Sequence, residues 1–339
     1  MRLGILTGGG DCPGLNAAIR VVVRYGHHRG VTVVGFRDGW RGVLDGMAHE
    51  LTEEDVRGIL PRGGTILGTS GMQPSLIEGG PDLVRAAIDV HALDGFIVIG
   101  GEGTMGTTAA MPDVPVVGIP KTIDNDIGGT DASIGFWTAA QTATDSIDRL
   151  YSTAESHNRV MVCEVMGRSA GWIGITSGVA GGADVIMIPE HPFDIELVCR
   201  RIRRIHSERR PFSIVVVSEG ATPVPGTMTL PEYALDENGW PRLGGIGRMV
   251  ADEIQRLTRS ETRVTTLGHV QRGGSPVAFD RVLATRLGVA AVDEALAGRW
   301  GNLVGIRGSG VVTTPLAEIG AQASLVPAER MQIPEILCG

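Results

Sequence analysis

The 339 residues exceed the length at which one hydrophobic core usually keeps growing, so two domains are expected. With 42% hydrophobic residues, 20% charged residues and a net charge of −8, the composition is that of a globular protein and argues against a nucleic-acid-binding surface. The cysteines form no CxxC pair, the amino terminus lacks signal-peptide flanks, and no 18-residue apolar run occurs, so we expect a cytoplasmic protein without structural zinc, disulfides or a membrane span.

Short runs rich in valine and isoleucine recur along the chain, and most are followed by a helical pattern. Each run is bounded by Gly, Pro or a polar cluster, which is typical of buried parallel strands. The alternation predicts an α/β, doubly wound architecture with functional loops at the carboxyl ends of the strands. The predicted strands are Leu3–Leu6, Val31–Phe36, Phe96–Ile99, Val114–Ile119, Val160–Val165, Val185–Ile188, Ile214–Val217 and Val264–Leu267.

Three other segments bear on the organisation of the chain. A long helix is predicted over Asp131–Tyr151 and could lead into the second domain. Residues 221–246 are rich in Pro and Gly and are predicted to form an ordered excursion, because strong element signals resume on both sides. The basic run Arg200–Arg204 lies in a helical pattern between Glu196 and Glu208 and is interpreted as a solvated helix face.

A glycine-rich loop follows the first predicted strand and reads Thr7-Gly8-Gly9-Gly10-Asp11. A helical pattern comes next, so backbone N–H groups and a helix N-terminus could face an anion. The alternative is a tight strand-to-helix turn without a ligand, and this loop alone does not decide between the two. No Gly-Lys-Ser/Thr follows, which excludes a Walker A loop.

A second glycine loop, Gly100-Gly101-Glu102-Gly103-Thr104, follows the apolar run Phe96–Ile99. A carboxylate between glycines at the start of a helix can hold Mg²⁺ beside the phosphates of a nucleotide. The same string suits NAD kinases and diacylglycerol kinases, so the class of kinase stays open at this point.

The string Pro120-Lys121-Thr122-Ile123-Asp124-Asn125-Asp126 follows another apolar strand. Two carboxylates at i and i+2 on a tight loop, beside a Thr and a Lys, are costly to assemble for structure alone. Asp124 is placed to accept a hydroxyl proton, and Asp126 to orient it or to bind a metal. Together with the two glycine loops, this string resembles the phosphofructokinase family, and NAD kinases lack it.

The resemblance covers almost the whole chain, because further segments stand in the family's order. These are Ser156–Arg159, Glu164–Arg168, Glu219, Glu261–Arg263 and Leu267–Pro276. PKTIDND, TAESH and EVMGR look like the actinobacterial, mixed-substrate branch, which also carries an insertion resembling residues 221–246. The family fold implies two similar Rossmann-like domains with the active site in the cleft between them. Residues 1–135 with 271–320 would bind nucleotide and Mg²⁺, and residues 136–270 with 321–339 would bind fructose 6-phosphate.

The resemblance implies Mg²⁺-dependent phosphoryl transfer from ATP to the 1-hydroxyl of fructose 6-phosphate, a reaction of glycolysis. Asp124 resembles the family's general base, and Thr122 and Asp126 resemble its positioning partners. Arg168 resembles the residue that stabilises charge on the transferred group, while Glu102 replaces the family's usual Asp as the Mg²⁺ ligand. The other residues expected to bind the donor are Gly10, Gly101, Gly103, Thr104 and Lys121.

For the acceptor sugar, the resemblance implies two groups of residues. Met166, Gly167, Arg168 and Glu219 would bind the sugar, and Arg159, Arg263, His269 and Arg272 would meet its 6-phosphate. Guanidinium groups suit phosphate oxygens bidentately, and His269 is interpreted as a ligand because it lies in the family's string. In the family, the counterparts of Arg159 and Arg263 reach a neighbouring subunit's site, so a homodimer or homotetramer with shared active sites is expected.

Two residues expected near the donor favour different phosphoryl donors. Pyrophosphate users of the family tend to carry Asp at the position of Gly103, so this residue favours ATP, whereas Lys121 favours pyrophosphate. We expect Lys121 to rotate away on its flexible stem, and ATP is therefore the predicted donor. Gly71 stands where the family usually has an arginine. This change leaves a non-catalytic sugar-phosphate sensor open as an alternative. Lys121 leaves a pyrophosphate-dependent enzyme open, and the kept 6-phosphate arginines also fit a kinase for another sugar phosphate.

The family's bacterial effector site is expected to be dismantled. Three arginines of that site are kept, but three positions that are basic in effector-sensitive enzymes are not basic here. We therefore expect no response to phosphoenolpyruvate or ADP through it. The kept residues are Arg20, Arg24 and Arg210, and the changed positions are Glu53, Tyr151 and Glu208.

Overall fold

The computed structural model describes residues 1–208, 210–230, 243–319 and 323–331, so residues 231–242 of the predicted excursion at 221–246 lie outside the described residues. The chain divides into two compact units. Unit 1 comprises Met1–Thr138 and Arg272–Ser324, and unit 2 comprises Ala139–Gln271 and Leu325–Gly339. Within the described ranges, no helix has the length and apolar character needed to cross a membrane.

The secondary structure elements are numbered here in chain order. The strands are β1 (Arg2–Thr7), β2 (Thr32–Phe36), β3 (Ala48–Leu51), β4 (Gly95–Gly100), β5 (Val116–Thr122), β6 (Ile134–Gly135), β7 (Val160–Val165), β8 (Val185–Met187), β9 (Ser213–Ser218), β10 (Thr262–Thr266), β11 (Asn302–Arg307) and β12 (Gly310–Pro315). The helices are α1 (Leu15–His28), α2 (Trp40–Leu44), α3 (Gly80–His91), α4 (Glu102–Ala109), α5 (Phe136–His157), α6 (Trp172–Ala180), α7 (Ile195–Glu208), α8 (Ile246–Thr258), α9 (Ala278–Leu296) and α10 (Leu316–Ile319). Short 3₁₀ helices cover Pro74–Leu76 and Gly268–Arg272.

Unit 1 contains an eight-stranded sheet in the order β12-β11-β5-β4-β1-β2-β3, with β6 paired to β5. The two outermost pairs, β2–β3 and β11–β12, are antiparallel, and the other pairs are parallel. The strand order reverses between β1 and β4, because the chain first builds towards β3 and then towards β12. In open parallel sheets such a switch point opens a crevice at the carboxyl ends of the strands. The glycine loops at residues 7–11 and 100–104 both lie at this point.

Unit 2 contains a four-stranded parallel sheet in the order β10-β7-β9-β8. The buried strands β7 and β9 are continuous apolar runs, and α7 and α8 pack their apolar stripes against one side of them. Here the switch point falls between β7 and β10. The loops that begin at Met166 and Leu267 leave the sheet at this point.

The predicted strands all form, and each of the eight lies within a few residues of its predicted bounds. The long helix begins at Phe136 instead of Asp131, because Ile134 and Gly135 pair with β5 and Gly135 takes a φ of 102°. Asp280 fixes this start, since its carboxylate accepts the backbone N–H groups of Gly135 at 3.0 Å and Thr138 at 2.8 Å. The strands β3, β6, β11 and β12 were not predicted from the sequence.

Candidate active site

The first glycine loop is fixed to its neighbours through its backbone. The Gly8 N–H donates to the Ile99 carbonyl at 2.9 Å, and the Gly9 N–H donates to the Ser70 carbonyl at 2.9 Å. The Thr69 hydroxyl donates to the Gly9 carbonyl at 2.6 Å. The loop after β1 is therefore held against the end of β4 and against residues 69–70.

Two cationic side chains lie on this loop. Lys121 is 3% exposed, and its Nζ donates to the Gly10 carbonyl at 2.5 Å. Arg272, which belongs to unit 1, donates from Nη1 to the Asp11 carbonyl at 3.3 Å. A Cβ atom at Gly10 would lie 2.7 Å from that Nη1, so only glycine allows the guanidinium this close. Two cations against a glycine loop at a strand end form a setting suited to an anion.

Burial has a direct effect on Lys121. Removal from water lowers the pKa of its ammonium, while the nearby carboxylates of Asp11 and Asp124 act in the opposite direction. The expectation that this side chain rotates away on a flexible stem does not fit the structure. The ammonium is enclosed and hydrogen-bonded within the glycine loop, because the strand β5 delivers it directly beneath Gly10.

The second glycine loop leads into α4. Thr104 is buried, and its side chain lies against Gly8, where a Cβ atom would come within 2.7 Å of its Oγ1. Glu102 and Gly103 are exposed at the start of the helix, and Gly101 is partly buried before it. Glu102 therefore presents its carboxylate to solvent at the strand end, next to the first loop.

The carboxylates of this region can be compared with the ligands that Mg²⁺ requires. The part of the chain that the structure describes holds no cluster of three His, Cys, Asp or Glu side chains. An all-protein cage is thus absent from that part, but Mg²⁺ is usually held by one or two carboxylates together with substrate phosphates and water. The single exposed carboxylate of Glu102 fits that mode of binding.

Gln73 is a residue of this region that sequence reasoning missed. A Cβ atom at Gly103 would lie 3.5 Å from Gln73 Nε2, so the amide borders the space above the second loop. Ser75 anchors this segment, since its N–H donates to the Thr107 hydroxyl of α4 at 3.2 Å. Gly71 is exposed, and a Cβ atom there would meet nothing within 4 Å. The space for the side chain of the usual arginine is therefore open.

The third loop, after β5, is shaped by Asn125. This residue adopts a φ of 54°, a conformation that Asn tolerates better than most residues. Its Oδ1 accepts the Ser133 N–H at 2.8 Å, and its Nδ2 donates to the Asp131 carbonyl at 3.2 Å. The Asp124 N–H donates to the Thr122 hydroxyl at 3.1 Å. Asn125 thus holds the turn in which Asp124 and Asp126 alternate, a role that the sequence pattern did not indicate.

Asp126 is partly buried at the end of this turn. Burial raises the pKa of its carboxyl, while the Thr122 hydroxyl and the charges of Lys121 and Arg272 lower it. Its Oδ1 is buried and accepts no hydrogen bond from the described residues. A buried carboxylate oxygen without a partner is costly, so this atom is suited to a donor that a substrate or a metal-bound water would bring.

In unit 2, the residues expected to bind the sugar lie at the ends of β7 and β9. The Met166 N–H donates to Gln271 Oε1 at 2.9 Å, and the Glu219 N–H donates to the Val165 carbonyl at 2.9 Å. Gly167 has a φ of 135°, and the Gly220 N–H donates to its carbonyl at 3.1 Å. The structure therefore brings Met166, Gly167 and Glu219 together, with Arg168 in the same loop.

Two of the three arginines expected to meet the sugar 6-phosphate, Arg159 and Arg263, are paired with Glu261 in unit 2, whereas Arg272 lies in unit 1. Glu261 Oε1 accepts Arg159 Nη2 at 2.8 Å and also accepts Arg263 Nη2. The hydrogen bond from Arg159 is the main cause that lowers the pKa of the Glu261 carboxyl. His269 is exposed on the 3₁₀ helix Gly268–Arg272, and no contact in the described residues joins it to these arginines.

The family model described as Phosphofructokinase matches residues 2–295. The ATP-dependent 6-phosphofructokinase of Mycobacterium leprae is 50% identical over 336 residues, which cover 97% of each chain. The pyrophosphate–fructose 6-phosphate 1-phosphotransferase of Amycolatopsis methanolica is also 50% identical, over 342 residues and 100% of each chain.

A solved structure of the same family has a similar fold. The phosphofructokinase from Saccharomyces cerevisiae superposes with a TM-score of 0.81 and 32% identity over 94% of this chain, which corresponds to 45% of the yeast chain. The relatives named for ATP and for pyrophosphate are equally similar to this chain, so their names do not separate the two donors. By family model, sequence identity and fold, the chain belongs to the phosphofructokinase family.

Proposed function

We propose that this protein is a Mg²⁺-dependent phosphofructokinase that transfers a phosphoryl group from ATP to the 1-hydroxyl of fructose 6-phosphate. The observation that carries the proposal is the grouping in unit 1 of the two glycine loops, the Asp124/Asp126 turn and the cations Lys121 and Arg272. Phosphoryl transfer needs little covalent chemistry from the protein, so positioned charges of this kind supply most of the rate.

Within the proposal, Asp124 accepts the proton of the sugar 1-hydroxyl, and the oxygen of that hydroxyl attacks the γ-phosphorus of ATP. The bond between this phosphorus and the β–γ bridging oxygen breaks, and ADP leaves. Thr122 and Asp126 hold this turn in position. Glu102 would hold Mg²⁺, which supplies charge neutralisation on the donor phosphates when bound. Met166, Gly167 and Glu219 bind the sugar, and Arg168 stabilises charge on the transferred group. Arg159, Arg263, His269 and Arg272 bind the 6-phosphate.

The choice of ATP rests on Gly103. Gly103 has no side chain, and the atoms closest to a Cβ atom placed there belong to Gln73, at ordinary van der Waals distance. Neither bulk nor charge at this position therefore opposes an α-phosphate. Pyrophosphate is the second candidate, and a specific observation favours it. Lys121 is enclosed with its Nζ in the first glycine loop, where it could bind a pyrophosphate oxygen.

A direct assay separates the donors. Purified protein is incubated with fructose 6-phosphate and Mg²⁺, with either ATP or pyrophosphate at matched concentrations, and fructose 1,6-bisphosphate is measured. We expect turnover with ATP at a much higher kcat/KM than with pyrophosphate. Turnover with pyrophosphate alone would replace ATP as the donor, and binding of fructose 6-phosphate without turnover by either donor would instead indicate a sugar-phosphate sensor.

Substitution of Gly103 tests the residue behind this choice. The space around Gly103 accepts a side chain without a steric clash, so Gly103→Asp should fold normally. It should lower kcat/KM for ATP by roughly tenfold or more, equivalent to about 1.4 kcal/mol. Gly103→Ala is the matched control without the charge and should retain most of the ATP activity. Equal kinetics for the Asp and Ala variants would remove Gly103 from the explanation.

A further inference from the structure

A concave feature separate from the candidate active site lies in unit 2, beside α7. It is a cavity of about 400 Å³ lined by Val185 of β8 and by five residues of the helix. Its volume falls within the range of small-molecule sites, roughly 300–1,000 Å³. The helix residues that line it are Leu197, Val198, Arg200, Arg201 and Arg204.

The arginines reach this cavity because of their spacing. Leu197, Arg200, Arg201 and Arg204 stand at positions i, i+3, i+4 and i+7, so they share one face of α7. The opposite stripe of the helix, which includes Ile202 and Ile205, is buried in the core of the unit. Val185 and Val198 are each 8% exposed and provide an apolar floor between the core and the guanidinium groups. The cavity thus combines an apolar base with a cationic wall.

The positive charge of this wall is only weakly compensated. The nearest carboxylate oxygen to the Arg200 guanidinium is that of Glu196, at 3.8 Å and on the exposed side of the helix. Arg204 forms no ion pair with any described residue. Both side chains are therefore available to an anionic ligand, in a chain whose net charge is −8.

The acidic residue next to the cavity is already engaged elsewhere. Asp184 Oδ1 accepts Arg210 Nη2 at 2.8 Å, and its Oδ2 accepts the Ile214 N–H at 2.8 Å. Arg201 also acts on the Asp184 carboxyl at longer range. With both carboxylate oxygens committed, Asp184 offsets part of the charge of Arg201 but does not pair with Arg200 or Arg204.

We propose that the cavity formed by Arg200, Arg201, Arg204, Leu197 and Val185 is a binding site for a polyanion that carries several adjacent phosphate groups. Guanidinium groups bind phosphate oxygens through paired N–H donors, and Arg200 and Arg204, one helical turn apart, match adjacent phosphates better than a single one. Either an inorganic condensed phosphate or the triphosphate of a nucleotide has this chemistry. The apolar floor would contact a nucleotide but adds nothing for the inorganic ion.

Calorimetric titration of the full chain tests the site, with inorganic tripolyphosphate as one probe and GTP as the other. We expect wild-type protein to bind tripolyphosphate at a site that is weakened at least about tenfold, or roughly 1.4 kcal/mol, in the R200Q/R204Q variant. The binding should also weaken with added salt, because exposed charges are screened. Tighter binding of GTP than of tripolyphosphate to this site would identify a nucleotide as the ligand, and equal or weaker binding would identify an inorganic phosphate chain.

Arg203 provides the matched control. It lies on the same helix but donates from Nη2 to the Leu257 carbonyl at 2.6 Å, outside the cavity. Arg203→Gln should therefore bind tripolyphosphate as wild type does. Circular dichroism and melting temperature verify that the variants fold. Identical isotherms for wild type and R200Q/R204Q, or an equal loss in Arg203→Gln, would overturn the proposal.

Discussion

Asp124 and Asp126 lie two residues apart, yet their proposed tasks differ and can be separated by mutation. Asp124→Asn removes the proposed proton acceptor but keeps the shape of the side chain. We expect kcat to fall by at least about 100-fold, the low end of general-base contributions. Fructose 6-phosphate should still bind, since the residues proposed for its 6-phosphate are in other loops, and calorimetry measures this. A variant that retains half the wild-type rate would contradict the assignment.

The charge of Asp126 should affect the thermal stability of the protein as well as its catalytic rate. Because burial raises the pKa of its carboxyl in the folded state, ionisation there costs more than in the unfolded chain. This cost is present above the folded-state pKa and vanishes below the unfolded value, where both states are protonated. Asp126→Asn should therefore raise the melting temperature at pH 7–8, with a gain that shrinks as the pH falls towards the ordinary pKa of 3.8. A gain that is independent of pH would show that the charge is not the cause.

Substitution of Gly71 by arginine should improve donor binding. The side-chain space at this position is empty, and its backbone lies outside the left-handed region, so Gly71→Arg should fold without strain. An added guanidinium near the proposed donor site should lower the Michaelis constant for the donor several-fold. Steady-state kinetics check this, and Gly71→Gln is the uncharged control. An unchanged Michaelis constant would indicate that the missing arginine has no bearing on donor binding.

At the scale of single elements, Glu164 connects a strand to the start of a helix. The residue is 2% exposed, and its carboxylate accepts the Gly245 N–H at 3.0 Å and the Gly247 N–H at 2.8 Å, at the N-terminus of α8. An acidic group at this end of a helix satisfies backbone donors and complements the helix dipole. The glutamate of the EVMGR string therefore has a structural role in holding α8 on β7.

Substitution of Glu164 should consequently affect stability first. Glu164→Ala leaves two backbone N–H groups without an acceptor and should reduce the free energy of unfolding by about 2–3 kcal/mol. Glu164→Gln keeps one oxygen acceptor and should lose less. Urea denaturation of both variants measures the difference. A loss of activity at full stability would instead point to a direct role in catalysis.

The elements also show what the sequence could and could not predict. The buried strands β1, β4, β5, β7 and β9 are apolar runs whose pattern follows from burial on both faces. The missed strand β3 contains exposed His49 and Glu50, and β12 is largely exposed, because both lie at sheet edges. Such edge strands are defined by their pairing partner, and the local sequence carries little signal for them.

The same limit applies to the candidate site. Its glycine loops and carboxylates follow strands directly, so the sequence predicts their place at the strand ends. By contrast, Gln271 is 105 residues from Met166, whose N–H it accepts, and Gln73 borders Gly103 through a different loop. These contacts depend on how distant segments fold together, and no local sequence pattern predicts them. The enclosure of Lys121 by the first glycine loop likewise depends on a contact between distant segments.

At the scale of the whole molecule, we expect the enzyme not to respond to phosphoenolpyruvate through the family's bacterial effector site. The structure gives a physical reason within each unit, because two of the three kept arginines, Arg24 and Arg210, are already engaged. In unit 1, the Arg24 guanidinium lies 3.6 Å from the Glu53 carboxylate. In unit 2, Arg210 pairs with Asp184 at 2.8 Å and stacks 5.2 Å from the centre of the Tyr151 ring. An anionic effector would have to displace these partners.

The measurement is the dependence of the initial rate on fructose 6-phosphate, recorded with and without phosphoenolpyruvate. The saturation curve should keep its shape and midpoint up to millimolar phosphoenolpyruvate. A Glu53→Arg/Tyr151→Arg double variant, which restores two positive charges, serves as the comparison and should bind phosphoenolpyruvate more tightly than wild type. Sigmoidal kinetics induced in the wild-type enzyme by submillimolar phosphoenolpyruvate would show that the engaged arginines still form an effector site, since an ion pair at the protein surface is weak enough for a strong anionic ligand to replace.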